Sequence, residues 1–259
     1  MDVGLRTPLL DFFRRGDVAR DVRLLAAQGA IAPRALEQLG ILALLTRDVD
    51  LEIRQTAEAT LHQLPPGVVA SFIARADVPT DLREFFVSRG IVPGDASAAQ
   101  AERPIVDADD TEYGPDAATD EQKAATVTKL SALSVPERVK AAMKGTREMR
   151  TILVRDANRM VALAVLSSPK LTETEVEAIS RMGSVSEDVL RTIGQTRAWT
   201  KSYQVASALV RNAKTPLAVS MNLLQRLHER DVRGVSIDRN VPEALRIAAR
   251  KRVVSSQGR

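Results

Sequence analysis

Residues 34–64 read RALEQLGILALLTRDVDLEIRQTAEATLHQL, and this stretch decides the fold class. Over 34–46, Leu36, Leu39, Ile41, Leu42, Leu44 and Leu45 cover most faces of a helix, the pattern of a helix buried all round. Asp48-Val49-Asp50 interrupts the run, and either aspartate can cap a following helix by accepting backbone N–H bonds. From 51 to 64, Ile53, Ala57, Leu61 and Leu64 recur at i, i+4, i+8 and i+11, one stripe of a second helix. Pro65-Pro66 closes it, because proline disfavours the α conformation of the residue before it. The reading predicts a helical hairpin with Ile53 and Leu61 turned to the core, then two short helices over about 67–76 and 80–88.

Residues 48–61, with an aspartate at the inter-helix turn and Arg54 after the buried Ile53, resemble the second half of a HEAT repeat. That family stacks helix pairs into α-solenoids, so the resemblance implies that Asp48 or Asp50 and Arg54 link neighbouring repeats in a structural role. It covers residues 34–64. The pairs Phe12-Phe13 and Phe85-Phe86 depart from the pattern and are expected to cap the ends of a short stack, since terminal repeats are atypical.

The chain has 259 residues, 44% apolar and 27% charged, enough for a buried core and a solvated surface. Aromatics are only 3%, so the core must be built from Ala, Val, Leu and Ile. Charge divides the chain in three: residues 1–94 carry −1, residues 95–122 carry −8 and residues 123–259 carry +13. The expected organisation is therefore a HEAT-like module over 1–94, a disordered acidic linker over 95–122 and a basic helical-repeat module over 123–259. The linker, acid-rich from Asp107 to Glu112, is too poor in apolar residues to offset the entropy of ordering. It reads as a solvated spacer or as an acidic pseudo-ligand for the basic module.

After residue 122 the chain repeats helix-start signals. Ser134-Val135-Pro136-Glu137, Thr172-Glu173-Thr174-Glu175, Ser184-Val185-Ser186-Glu187 and Asn240-Val241-Pro242-Glu243 each have the form of a capping box, a cap residue with a glutamate three positions on. Aliphatic stripes follow, such as Val189, Leu190 and Ile193 or Leu217, Met221 and Leu224. No segment alternates with a period of two, so no sheet is expected. Residues 152–193 and 208–249 share 11 identities in 42 positions at an offset of 56, while a competing register relates 164–179 to 208–223 at an offset of 44. The segments 165–172 and 209–216 resemble a leucine-rich-repeat-variant unit, whose helices end in Asn-Pro-like turns and restart at Thr-Pro steps. That resemblance, over about residues 152–253, implies an α-solenoid and no chemistry; the cysteine cluster of that family has no counterpart here.

Two groups of residues are candidates for partner binding. Trp199 and Tyr203, four residues apart with Arg197 and Lys201 beside them, form an aromatic pair among cations that suits a peptide or stacked bases, or else fills a gap between repeats. Arg211 adds to the same basic surface, and Arg246, Arg250, Lys251 and Arg252 cluster at the chain end, within a stretch (195–259) of 13 basic and 4 acidic residues. The alternative is a solvated basic face.

Reactive constellations are missing. With no cysteine there is no thiol catalysis, disulfide or Cys-ligated metal, and only His62 and His228 remain for histidine chemistry. His228 reads as a lone histidine at a helix end where the dipole favours a cation, and Gly183 and Gly194 read as helix stops. Glu173, Glu175 and Glu177 are accounted for by caps and exposed positions. No cofactor, metal site, membrane span, small-molecule substrate or enzymatic activity is expected, and the N-terminus lacks the pattern of a signal peptide. The expected protein is an all-α adaptor of the bacterial cytoplasm that binds a protein partner, with nucleic-acid binding by the basic module as the alternative.

Overall fold

The computed structural model describes residues 7–32, 34–94, 105 and 120–257. Among these the chain is all-helical, with 17 α-helices, one 3-10 turn and no strand. It divides into two compact units, one of residues 1–150 with 167–170, the other of residues 151–166 with 171–259. These limits fall elsewhere than the charge boundaries, because charge composition does not report which helices pack together. The expected linker, 95–122, lies outside the described residues except at two places. Ile105 donates its backbone N–H to Gln38 Oε1 at 2.7 Å and packs against the first unit's core. Residues 120–122 already belong to a helix.

The first unit holds α1 (Pro8–Arg15), α2 (Arg20–Ala27), α3 (Ala35–Leu45), α4 (Leu51–Gln63), α5 (Pro66–Ile73), α6 (Thr80–Val87), α7 (Asp120–Ala132) and α8 (Val135–Lys144); α9 (Arg147–Leu153) straddles the division. The hairpin of α3 and α4 forms where the sequence predicts it. Asp50 caps α4, its Oδ1 accepting the Glu52 N–H at 2.9 Å. The acids of the turn reach back to α2: Arg23 Nη1 lies 2.5 and 2.6 Å from the two Asp48 oxygens, and Arg20 Nε donates to Asp50 at 2.7 Å. Arg54 stays within its own turn, donating to the Asp48 carbonyl at 2.6 Å. Of the expected stripe Ile53, Ala57 and Leu64 are buried, and Leu61 is half-buried and packs against the unit's core; Thr60 is buried beside them. Thr60 enters the stripe because its hydroxyl donates to the Ala27 carbonyl at 2.6 Å, which satisfies a polar group that an apolar count overlooks.

Ala35, Leu39, Leu64, Val69, Phe72, Ile73, Leu82 and Phe86 form one apolar core of this unit. Each phenylalanine pair splits: Phe12 and Phe86 are buried, Phe13 and Phe85 half-buried. The Phe85 and Phe86 rings meet edge to face at 5.1 Å.

The second unit continues with α10 (Arg159–Ala164), α11 (Glu173–Arg181), α12 (Glu187–Gln195), α13 (Arg197–Thr200), α14 (Tyr203–Arg211), α15 (Leu217–Leu224), α16 (Glu229–Ile237) and α17 (Glu243–Gln257). Apart from the single turn α13, its helices begin at residues 159, 173, 187, 203, 217, 229 and 243, steps of 12 to 16 residues. They pack in two rows: α11 on α14 and α14 on α16 in one, α10 on α12, α12 on α15 and α15 on α17 in the other. This arrangement sorts the two registers. An offset of 56 carries α11 onto α16 and α12 onto α17, within a row, whereas 44 carries α10 onto α14 and α11 onto α15, across rows. A recurring turn ends three helices: Asp156, Asn212 and Asp238 each accept the backbone N–H two residues on, at 2.7, 3.0 and 2.9 Å.

Two of the four expected capping boxes form. Glu137 accepts the Ser134 N–H at 2.8 Å, and Glu175 accepts that of Thr172 at 3.0 Å. The other two are shifted: Ser186 caps α12 and Pro242 precedes α17, so Glu187 and Glu243 open their helices and do not close a box. In each, a nearer residue compatible with an extended backbone takes the cap position. Gly194 is likewise no helix stop. It lies inside α12, and a Cβ there would come within 2.3 Å of Val219 Cγ1 on α15.

Candidate binding site

The most developed polar site of the second unit gathers around Tyr203, the first residue of α14. Its hydroxyl donates to Asp231 Oδ2 and accepts the His228 backbone N–H at 3.1 Å, and its ring stacks on the His228 imidazole at 4.4 Å. Asp231, in the first turn of α16, also receives Arg211 Nη2 from the end of α14 at 2.7 Å. His228 is the residue before α16, at the positive end of the dipole, which corrects its expected placement at a cation-favouring terminus. The hydrogen bond from Tyr203, aided by Arg211, holds the Asp231 carboxyl below the ordinary aspartate range. Burial, then donation to Asp231, raises the Tyr203 phenol above the ordinary tyrosine value. Asp231 is thus a fixed anion and Tyr203 a fixed donor at neutral pH.

These groups wall a cavity of about 520 Å³ that also exposes Arg181 of α11, Gln204 and Ser207. Arg181 is paired with Glu177 one turn back at 2.5 Å, yet 63% of its side chain remains exposed. Asn212 is committed to the scaffold, its amide donating to the carbonyls of Ser180 and Met182 at 2.8 and 3.0 Å. The cavity therefore offers two guanidinium groups from neighbouring helices, one of them oriented by Asp231. Forked donors of this kind match a carboxylate or phosphate.

The sequence-predicted residues separate into three groups. Tyr203 and Arg211 come together at the cavity. Trp199, half-buried on α13, is parted from Tyr203 by the break at Lys201-Ser202, so the two do not share one helix; Arg197 and Lys201 are exposed beside it. At the chain end Arg250 Nε donates to the Ser236 carbonyl at 3.1 Å, and Arg252 donates to the carbonyls of Leu224 and Leu227, the latter at 2.9 Å. These two arginines bind helix ends of their own unit, while Lys251 is exposed and Arg246 half-buried. Arg181 and Asp231 are not among the sequence-predicted site residues, and His228 is read there only as a lone histidine at a helix end; the regular step between helix starts is the signal that places 228–231 at a helix beginning.

A second cavity, of about 510 Å³, lies in the first unit among α1, α3 and α6, with Leu36, Ala43, Leu44 and Phe85 on its walls and Arg14, Arg47 and Arg89 around it. Among the described residues no helix is long and apolar enough to cross a membrane, and no group of three or more His, Asp or Glu is placed to hold a metal ion. The chain matches no protein-family model, no curated protein and no solved structure.

Proposed function

We propose that the chain is a non-enzymatic helical-repeat adaptor, an α-solenoid of the bacterial cytoplasm, whose second unit grips an acidic segment of a protein partner. The observation that carries this reading is the cavity of about 520 Å³ in which Tyr203 and Asp231 hold Arg211 in place and Arg181 faces the same space. A site preset by side-chain hydrogen bonds loses less entropy on binding than two free arginines would.

The nucleic-acid alternative draws less support from the same unit. Beyond the cavity, Arg159, Arg191 and Arg233 are each paired with a carboxylate on their own unit, and Arg250 and Arg252 donate to backbone carbonyls. Phosphate-backbone binding calls for a continuous uncompensated stripe. The test uses a labelled decapeptide of alternating Glu and Ser, and a single-stranded decanucleotide, at 0.15 M salt. The peptide is expected to bind, and Arg211→Ala to weaken it about tenfold, the worth of one charge-assisted hydrogen bond. Tighter binding of the oligonucleotide, with a steep salt dependence and no response to Arg211→Ala, overturns the reading in favour of nucleic acid.

A further inference from the structure

The cavity of about 510 Å³ in the first unit is a groove built from one face of each of three helices. Its floor is the stripe of α3 that runs through Leu36, Gly40, Ala43 and Leu44 to Arg47, just past the helix end. At about 1.5 Å per residue this stripe extends roughly 16 Å, about three helical turns. Leu10 and Arg14 of α1 and Glu84 and Phe85 of α6 complete the walls.

Three features distinguish this groove from a plain gap between helices. Leu44 is 36% exposed and Leu36 and Phe85 are half-buried, so apolar surface is left open along the floor. Gly40 stands inside α3, where glycine weakens a helix relative to alanine. Beyond its own helix a Cβ there would meet only Leu10, with Cδ1 at 3.4 Å, an ordinary contact; unlike Gly194, it is not demanded by its neighbours. The missing side chain instead lets another chain lie close to the floor. Finally, Arg20, Arg23, Arg75 and Arg89 of this unit are each held by a carboxylate, whereas Arg14 and Arg47 are exposed and bind none among the described residues. Thr7 hydrogen-bonds Glu37 and Leu10 abuts Gly40, so α1 and α3 run in the same direction and bring Arg14 level with the end of α3 that carries Arg47. Asp81 and Glu84 put negative charge on the α6 wall, and Arg89 is drawn to Glu58 and to the face of Phe85, 3.9 Å from its ring centre.

We propose that this groove takes an amphipathic helix of a partner protein, its aliphatic face on the α3 floor and its acids turned to Arg14 and Arg47, away from Asp81 and Glu84. An apolar floor about three turns long suits a helix laid along it. The small residue at mid-floor permits close approach, and the two signs of charge on the walls set which edge of the helix is acidic. The inference concerns the first unit and does not rest on the reading of the Arg211 cavity.

The test uses the full chain and a fluorescein-labelled, helix-stapled peptide of about 14 residues, with leucines at i, i+4 and i+7 and glutamates along one edge. Binding is read by fluorescence anisotropy at about 0.15 M salt. The peptide is expected to saturate in the micromolar range, and a copy with lysine for each glutamate to bind at least tenfold more weakly. Arg47→Glu should weaken the glutamate peptide about tenfold. Gly40→Ala should weaken it at least threefold without lowering the melting temperature, and Arg211→Ala should leave it unchanged. Equal binding of the two peptides, no saturation below millimolar concentration, or no response to either first-unit variant overturns the proposal. So does self-association of the chain that Arg47→Glu abolishes, which would give the groove to a second copy.

Discussion

Two turns of this protein are built from the same parts and bury them to different depths. In the first unit Asp48, between α3 and α4, binds Arg23 of α2; in the second, Asp231 at the start of α16 binds Arg211 of α14. The Asp48 and Arg23 side chains are 6% and 21% exposed, those of Asp231 and Arg211 25% and 48%. The first pair is sealed: Asp48 also accepts the Asp50 N–H at 2.9 Å, and Arg54 closes the carbonyl side of the turn. The second opens on a cavity and leaves guanidinium edges facing water. An acid–arginine pair is closed off when the turn encloses it and open to a ligand, as proposed for Arg211, when one side stays wet, and the choice of residues alone does not tell the two apart.

The comparison breaks first at the apolar side of the sealed turn. Ile53→Ala should cost roughly 2–5 kcal/mol in urea unfolding, as full burial of an aliphatic implies. Leu61→Ala should cost less than half of that, since Leu61 is only half-buried; equal losses would show that it is held as tightly as Ile53. Asp48→Ala comes next, at about 2–3 kcal/mol, since it strands a partly buried guanidinium. If Asp48→Ala melts like the parent, the two turns do not differ in the way their burial indicates.

Smaller effects sharpen the contrast. Glu37 of α3 is 2% exposed, with Oε2 lacking a hydrogen-bond partner, and burial raises its pKa above 4.5, offset in part by Thr7 and Arg34. The folded state then holds the proton more tightly than the unfolded one. Stability present below pH 4.5 is lost as pH rises through the higher folded value. Glu37→Met should accordingly raise the melting temperature more at pH 8 than at pH 4.5, by about 1 kcal/mol of stability at the upper end; a gain that does not vary with pH would show the carboxyl to be ionised at no cost. In the open turn, Tyr203→Phe should cost about 1 kcal/mol by removing the link between Asp231 and the His228 N–H. Arg211→Ala should change stability by less than about 0.5 kcal/mol, as exposed pairs do. A large stability loss in Arg211→Ala would make that pair a second sealed turn.

Much of the fold is legible in the sequence because local rules decide it. The all-apolar face count of α3, the Asp50 cap and the Pro65-Pro66 stop act within a few residues, and the hairpin appears where they put it. The apolar stripe of α4 faces the core as its spacing predicts, but the burial of Thr60 is not legible there, because it depends on the Ala27 carbonyl, a partner 33 residues away. The site was harder to read. Tyr203 and Arg211 were picked out for their chemistry, but Asp231 and His228 gain meaning only when α16 is placed beside α14. Within the basic cluster at the chain end, carbonyls at the ends of other helices engage Arg250 Nε and both terminal nitrogens of Arg252, and charge counting does not see a carbonyl. Gly194 has the same lesson in steric form: its reason for being glycine is Val219, on the next helix of its row.

The bonds of Arg252 also set the order in which the second unit comes apart. A helix held only by side-chain packing can open by itself, without disturbing its neighbours. Here α17 sends Arg252 to the C-terminal carbonyls beyond α15 and Arg250 to the end of α16. α17 is thus clasped to both helices it packs against, and opening it requires uncapping two others at once. Amide exchange in α15, α16 and α17 should therefore collapse into one protected block with a single opening free energy, three helices bolted together by two arginines.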